Sequence, residues 1–164
     1  MQYFTPDIVN STTHVTAEST VDAPISIVWK TLLDFESYEK WNPFVRSQLV
    51  TDSKYIPLSV QPEPAEGQFL LMKVQIPAPA DGTMVPVSNG LTRSEEVITF
   101  VDEENPLVGW KQTSYSDWFL RAYRRQEMKE VLVDGNKMIR YCTVKVCIYH
   151  VSDQVYIDAR FIDI

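Results

Sequence analysis

The chain has 164 residues, a length that fits one domain comfortably and two only with difficulty. It is 45% hydrophobic and 12% aromatic, which excludes global disorder. With 22 acidic against 15 basic residues the net charge is −7, which argues against nucleic acid and anionic bilayers as partners.

The one dense basic run, Arg121, Arg124, Arg125 and Lys129, alternates with Glu127 and Glu130 and reads as a solvated strand face. The opening residues carry no basic region followed by an apolar stretch, and no segment approaches the roughly 20 apolar residues that cross a bilayer. Cytoplasmic residence without stable membrane insertion is therefore expected. Cys142 and Cys147 are five positions apart in a strand-patterned segment, so they point to opposite faces, and neither a disulfide nor a metal site is expected. Asn10-Ser11-Thr12 matches a glycosylation sequon, read here as accidental.

In chain order, Thr12 to Val21 is rich in Thr and Val and predicts a half-buried strand. A helix follows, with Pro24 at its first position, Asp22 near its positive end, and Ile25, Val28, Trp29, Leu32 and Leu33 at helical spacing. Residues 34–41 predict a break and a second short helix, ended at Asn42-Pro43 because a residue before proline avoids the α region. Six strands are then predicted: Phe44 to Val50, Gln68 to Ile76, Ser94 to Val101, Leu107 to Thr113, Arg121 to Val133 and Lys137 to Tyr149. Asp134-Gly135-Asn136 joins the last two as a hairpin. Pro57 to Gly67 and Pro77 to Gly90 read as loops, the second long enough for a lid or an insertion.

Ser19-Thr20-Val21-Asp22-Ala23-Pro24, Val28-Trp29, Leu32-Leu33-Asp34-Phe35, Tyr38 and Trp41-Asn42-Pro43-Phe44 together resemble the opening of START-like (SRPBCC) domains, especially the polyketide cyclase/dehydrase-like group. The likeness continues more weakly through Leu107 to Lys111, Trp118 to Ala122 and the hairpin Gln126 to Val146, and covers about residues 12–148. It implies one α+β domain of the helix-grip type: a strongly bent antiparallel sheet of six or seven strands with two short N-terminal helices, and a cavity between sheet and helix. The segment from His150 to Ile164 departs from the family. Val155, Ile157, Ala159 and Phe161 alternate at period two, so the family's C-terminal helix is expected to be shortened or replaced. A second copy of the chain could then close the pocket.

Candidate ligand-binding residues follow from the apolar character of such cavities. Trp41, Phe69, Trp110, Trp118 and Tyr123 are aromatic candidates that could equally fill the core, and Trp41 and Asn42 are read as structural first and pocket rim second. In the strand 121–133, the parity of Ala122, Arg124, Gln126, Met128 and Leu132 carries more apolar atoms and is expected inward. Arg124 and Gln126 would then face the pocket, where a buried Arg needs an anionic partner or ligand group. In the last strand the inward set is expected to include Arg140, Cys142 and Val144. Of the adjacent Glu95 and Glu96 one must face inward, where burial could make it a general base. His14 and His150 sit at strand ends with no placeable catalytic neighbour.

The sequence contains no GxSxG turn, phosphate-binding glycine loop, HExxH or CxxC, so covalent, metal-dependent and nucleotide-dependent chemistry is disfavoured and no cofactor is expected. Three readings stand open: a carrier of a lipid, polyketide or terpenoid; a cofactor-independent cyclase/dehydrase or isomerase of secondary-metabolite biosynthesis; and a degenerate or truncated domain without activity.

Overall fold

The computed structural model describes residues 13–76, 79, 90–117, 119–133 and 136–149. Seven strands form one antiparallel sheet: β1 (Thr13–Val21), β2 (Val45–Thr51), β3 (Phe69–Val74), β4 (Thr92–Asp102), β5 (Leu107–Gln112), β6 (Leu120–Val133) and β7 (Asn136–Tyr149). Their spatial order is β1-β7-β6-β5-β4-β3-β2, a meander from β2 to β7 with β1 added beside β7. The strand and helix order expected from the sequence is present, with boundaries shifted by at most two residues.

That order places β1 and β2 at opposite edges, so the chain between them must cross the sheet. At about 4.8 Å per strand, six spacings make roughly 29 Å along the sheet. The crossing is made by α1 (Ile25–Leu33), a 3-10 turn (Phe35–Ser37) and α2 (Tyr38–Trp41). It buries one sheet face, called the inner face below. Leu32 of α1 packs with Val108, Trp110 and Met128, and Ile25, Val28 and Trp29 flank that cluster. Phe35 and Tyr38 pack with Phe44, Val45, Val50, Leu70, Met72, Val74 and Ile98. A fully buried side chain such as Leu70 contributes roughly 1.5–3 kcal/mol through removal of apolar surface from water.

One local expectation is corrected. Pro24 caps α1 instead of opening it, and the cap is made by its carbonyl, which accepts from the N–H of Ile27 at 2.9 Å and Val28 at 3.2 Å. Asp22 stands two residues before Pro24, and the first turn itself holds no acid. At the other end of the crossing the Asn42-Pro43 reading holds: Asn42 is extended, at φ −94° and ψ 112°. Its Oδ1 accepts from the N–H of Phe44 at 3.0 Å and of Val45 at 2.7 Å, which turns the chain into β2.

Register shifts interrupt β2 between Val45 and Ser47 and β4 between Ile98 and Phe100, and such bulges increase local twist and bend. On the opposite, outer face the β2–β3 connection folds back: the Tyr55 ring meets Phe69 edge-on at 5.5 Å and its hydroxyl bonds that of Thr113. β6 and β7 pair along their whole length up to Val133 opposite Asn136, leaving two residues between them. The expected Asp134-Gly135 turn, most of the 77–90 loop and the atypical segment 150–164 lie outside the described residues.

Candidate functional site

Directly opposed residues of an antiparallel pair share a face. The register therefore carries the inner face across the sheet: Gln48 with Met72 and Ser94, Leu70 with Glu96 and Gln112, Ile98 with Trp110 and Arg124, and Val108 with Gln126. The helices cover the Val108 and Ile98 end of this face. Next to the helix-covered cluster, and sharing Phe44, Met72 and Val74 with it, lies a cleft of 190 Å³, open on one side, with those three and Ala122 as apolar wall and Ser94, Glu96, Gln112 and Arg124 as polar groups. Ile76, Arg93, Ser114, Tyr115 and Tyr123 also border it.

Each polar group is placed by its strand. Glu96 is 8% exposed, and its Oε1 accepts from Ser94 Oγ at 3.0 Å. Glu95, its neighbour, is half-buried on the other face and pairs with Arg93 at 2.7 Å. Of the two adjacent acids, the inward one is thus Glu96. Arg124 is half-buried and holds its guanidinium carbon 5.8 Å from the centroid of the Trp110 ring. Gln126 is 7% exposed on the same face. In β6 the inward parity holds at Ala122, Gln126 and Met128, but Leu132 is 77% exposed because it lies beyond the part of the strand that α1 covers.

The remaining site expectations divide. Trp110 stands on the inner face as expected, yet it is packed beneath α1 with Leu32, Val108 and Met128; it pairs with the cleft-lining Arg124 but does not itself line the cleft. Tyr123 borders the cleft from the opposite parity to Arg124, with Lys111 Nζ 6.0 Å from its ring centroid. Trp41 meets the Tyr38 ring at a tilt of 60° with centroids 4.7 Å apart and donates from Nε1 to Ser37 Oγ, away from the cleft. Phe69 lies on the outer face, because its neighbours Leu70 and Met72 take the inward parity. Trp118 lies outside the described residues. Cys142 and Val144 stand opposite Glu127 and Arg125 in the backbone register of β7 on β6, and their side chains lie outside the described residues.

Phe44, Met72 and Val74 were missed. In β3 only Lys73 marks a parity, since Phe69 to Met72 is apolar without a break. Lys73 is exposed, which sends Met72 and Val74 inward.

Two larger grooves are less suited to a ligand. One of 610 Å³ beside Pro106 and Leu107 is lined by Arg125, Glu127 and Lys129, which already pair with one another at 2.5 and 3.2 Å. Burial by itself pushes the Glu127 carboxyl up, but the hydrogen bonds from Arg125 and Lys129 and their charges outweigh it and hold it below the ordinary range. The other, 440 Å³ between α1 and the 61–64 segment, presents Asp34, Glu36, Glu63 and Glu103 against the lone cation Lys30, a solvated acidic rim. Among the described residues no group of three His, Cys, Asp or Glu side chains could hold a metal ion, and no helix is long and apolar enough to cross a membrane.

Residues 12–64 match the family model described as polyketide cyclase / dehydrase and lipid transport. No curated protein matches. Among solved structures, major latex-like protein 151 from Panax ginseng superposes with a TM-score of 0.61 at 9% identity, covering 92% of this chain and 88% of that one. The Zhui aromatase/cyclase from Streptomyces sp. R1128 gives 0.57 at 13% identity, over 86% and 70%. A START superfamily protein from Mycobacterium smegmatis gives 0.54 at 14% identity, over 87% and 81%. These likenesses establish the fold, and the resemblance read from residues 19–44 is supported by the match that contains them.

Proposed function

We propose that this START-like chain binds a compact hydrophobic small molecule in the inner-face cleft. The observation that carries the reading is the cleft itself, an apolar wall of Phe44, Met72, Val74 and Ala122 interrupted by a few fixed polar groups, the usual make-up of a ligand site. At 190 Å³ it is smaller than the roughly 300–1,000 Å³ of drug-sized ligand pockets, which favours a compact ligand or the end of a longer one. The test is native mass spectrometry of protein purified from its own host, beside titration with a panel of lipids, polyketides and terpenoids. A retained or titrated species that is lost in Ala122→Leu, whose longer side chain would fill the cleft, supports the reading. No retained species and no affinity across the panel would remove it.

A second reading, cofactor-independent cyclisation or dehydration, rests on one observation: Glu96 brings a buried carboxylate to the cleft wall. A carboxylate held close to a bound ketone could accept the proton that leaves a carbon beside the carbonyl. If Glu96→Gln retains ligand binding and abolishes turnover of a bound polyketone, this reading gains; equal turnover removes it.

A further inference from the structure

The two edges of the sheet are finished differently. At β2 the chain covers its own edge: Pro57 bridges to Thr51, and the Leu58 N–H donates to the Val50 carbonyl at 3.1 Å. The Gln61 amide accepts from the Val50 N–H at 2.7 Å and donates to the Val50 carbonyl at 3.1 Å. A register shift between Val45 and Ser47 interrupts that strand as well. Proline, bulges and covering segments are the usual devices that keep an edge from pairing with another chain. Among the described residues β1 has none of them, and no strand lies on its other side. It stands last in the strand order and pairs with β7 over all nine residues without a register shift. Its sequence, Thr13 to Val21, is rich in Thr and Val, holds no Pro, Gly or Lys, and carries one acid, Glu18.

We propose that the β1 edge is an interface for a second copy of this chain, the two β1 strands pairing antiparallel about a twofold axis. The choice of occupant follows from what each leaves open. A single strand added from a peptide covers β1 and presents its own far side as a new edge. Two copies joined β1 to β1 leave only the two β2 edges, each already covered by its own chain. A twofold axis perpendicular to the sheet makes the joined strands antiparallel and keeps both inner faces on one side, so opposed residues share parity. Centred on Ala17, the pairing uses the whole strand, from Thr13 opposite the partner's Val21, and sets Glu18 opposite the partner's Thr16. Thr16 and Glu18 are both exposed, and a hydroxyl facing a carboxylate can donate to it. Centring on Glu18 instead would oppose two carboxylates, which is destabilising. β1 contributes no residue to the cleft, so this inference stands apart from the binding function proposed above.

Sedimentation velocity of the full chain over a rising concentration series reads the oligomeric state, and amide hydrogen exchange reads β1. A dimer is expected, with the Thr13–Val21 amides protected along the whole strand and alternate ones losing protection on dilution. Thr16→Glu opposes carboxylates at two symmetry-related places and should weaken dimerisation by about tenfold, whereas Thr16→Lys opposes unlike charges and should strengthen it severalfold. Thr16→Glu combined with Glu18→Lys should restore the dimer. Ser59→Glu puts the same charge on the exposed segment that covers β2 and should leave it unchanged. A chain that stays monomeric at every concentration overturns the proposal; slow exchange throughout β1 in that monomer would mean that the chain covers this edge itself. A dimer indifferent to Thr16→Glu, or weakened as much by Ser59→Glu, overturns it too, by placing the contact elsewhere. Failure of the double variant to restore the dimer overturns the register centred on Ala17. Should Thr16→Glu not fold, the concentration series and Thr16→Lys decide the matter.

Discussion

The ring of Phe100 on β4 occupies the space that a side chain on Gly109 of β5 would need. A Cβ at Gly109 would meet Phe100 Cε1 and Cζ well inside van der Waals contact. The register shift between Ile98 and Phe100 creates this relationship by setting Phe100 opposite Gly109. Gly109→Ala is therefore expected to destabilise the fold by about 1–3 kcal/mol through overpacking. Urea denaturation reads the loss, and in a double-mutant cycle Phe100→Leu should recover most of it. Strictly additive losses would show that the ring and the glycine are not coupled.

Asn42 bears on the cleft through the backbone. Its side-chain oxygen fixes the N–H groups of Phe44 and Val45, and Phe44 forms part of the apolar wall. Asn42→Ala is expected to cost about 1–2 kcal/mol of stability, with two N–H groups losing their acceptor. Ligand affinity should fall with it. Asn42→Asp, which keeps an acceptor oxygen in place, should restore both; unchanged affinity in Asn42→Ala would separate the turn from the cleft.

The elements were legible because their signals are local. Helical spacing from Ile25 to Leu33, proline after Asn42 and the alternation along β4 and β6 each report a backbone preference within a few residues. The inward direction of Glu96 and of Arg124 was legible as parity, since apolar neighbours two positions away mark the buried face. In β7 no parity is marked, because Met138 to Ile148 carries apolar residues at both even and odd positions. Phe69 failed for the same reason within an unbroken apolar run. Nor could any local pattern place Trp110 under α1 and outside the cleft, since that depends on where the crossing segment stops covering the sheet.

Charge around the β5–β6 connection predicts a response to acid. Lys111 donates to Asp117 at 2.8 Å, and with Arg121 nearby it holds the Asp117 carboxyl below its ordinary range. A carboxyl depressed in the folded state contributes stability above its unfolded value and loses it as pH falls through the folded one. The loss is thus expected from about pH 4 downward, for Asp117 and for Glu127 alike. Asp117 is half exposed, so screening limits its share to about 0.5 kcal/mol. Asp117→Asn should lower the urea midpoint slightly at pH 7, and the deficit should shrink as pH falls to 2.5. An equal deficit at both values would assign the effect to shape and not to charge.

Tyr38 supplies a contrast with Asn42. Its hydroxyl donates to the Leu32 carbonyl at 2.6 Å. That carbonyl belongs to the last turn of α1, where no further helical N–H follows to meet it. The bond ties α2 to α1 and is buried, while the Tyr38 ring keeps a separate edge contact with Phe35 at 5.8 Å. Tyr38→Phe removes the donor and leaves the ring packing, so the cost should be that of one buried carbonyl losing its partner, about 1–2 kcal/mol. The urea midpoint should fall with the slope of the transition unchanged, because the surface exposed on unfolding is the same. Ligand affinity should stay within about twofold, since Tyr38 does not line the cleft and the substitution keeps its ring packed in the cluster it shares with Phe44, Met72 and Val74. Loss of affinity as large as that of Asn42→Ala would mean that the crossing segment shapes the cleft as one rigid piece, and not through the turn at Asn42 alone.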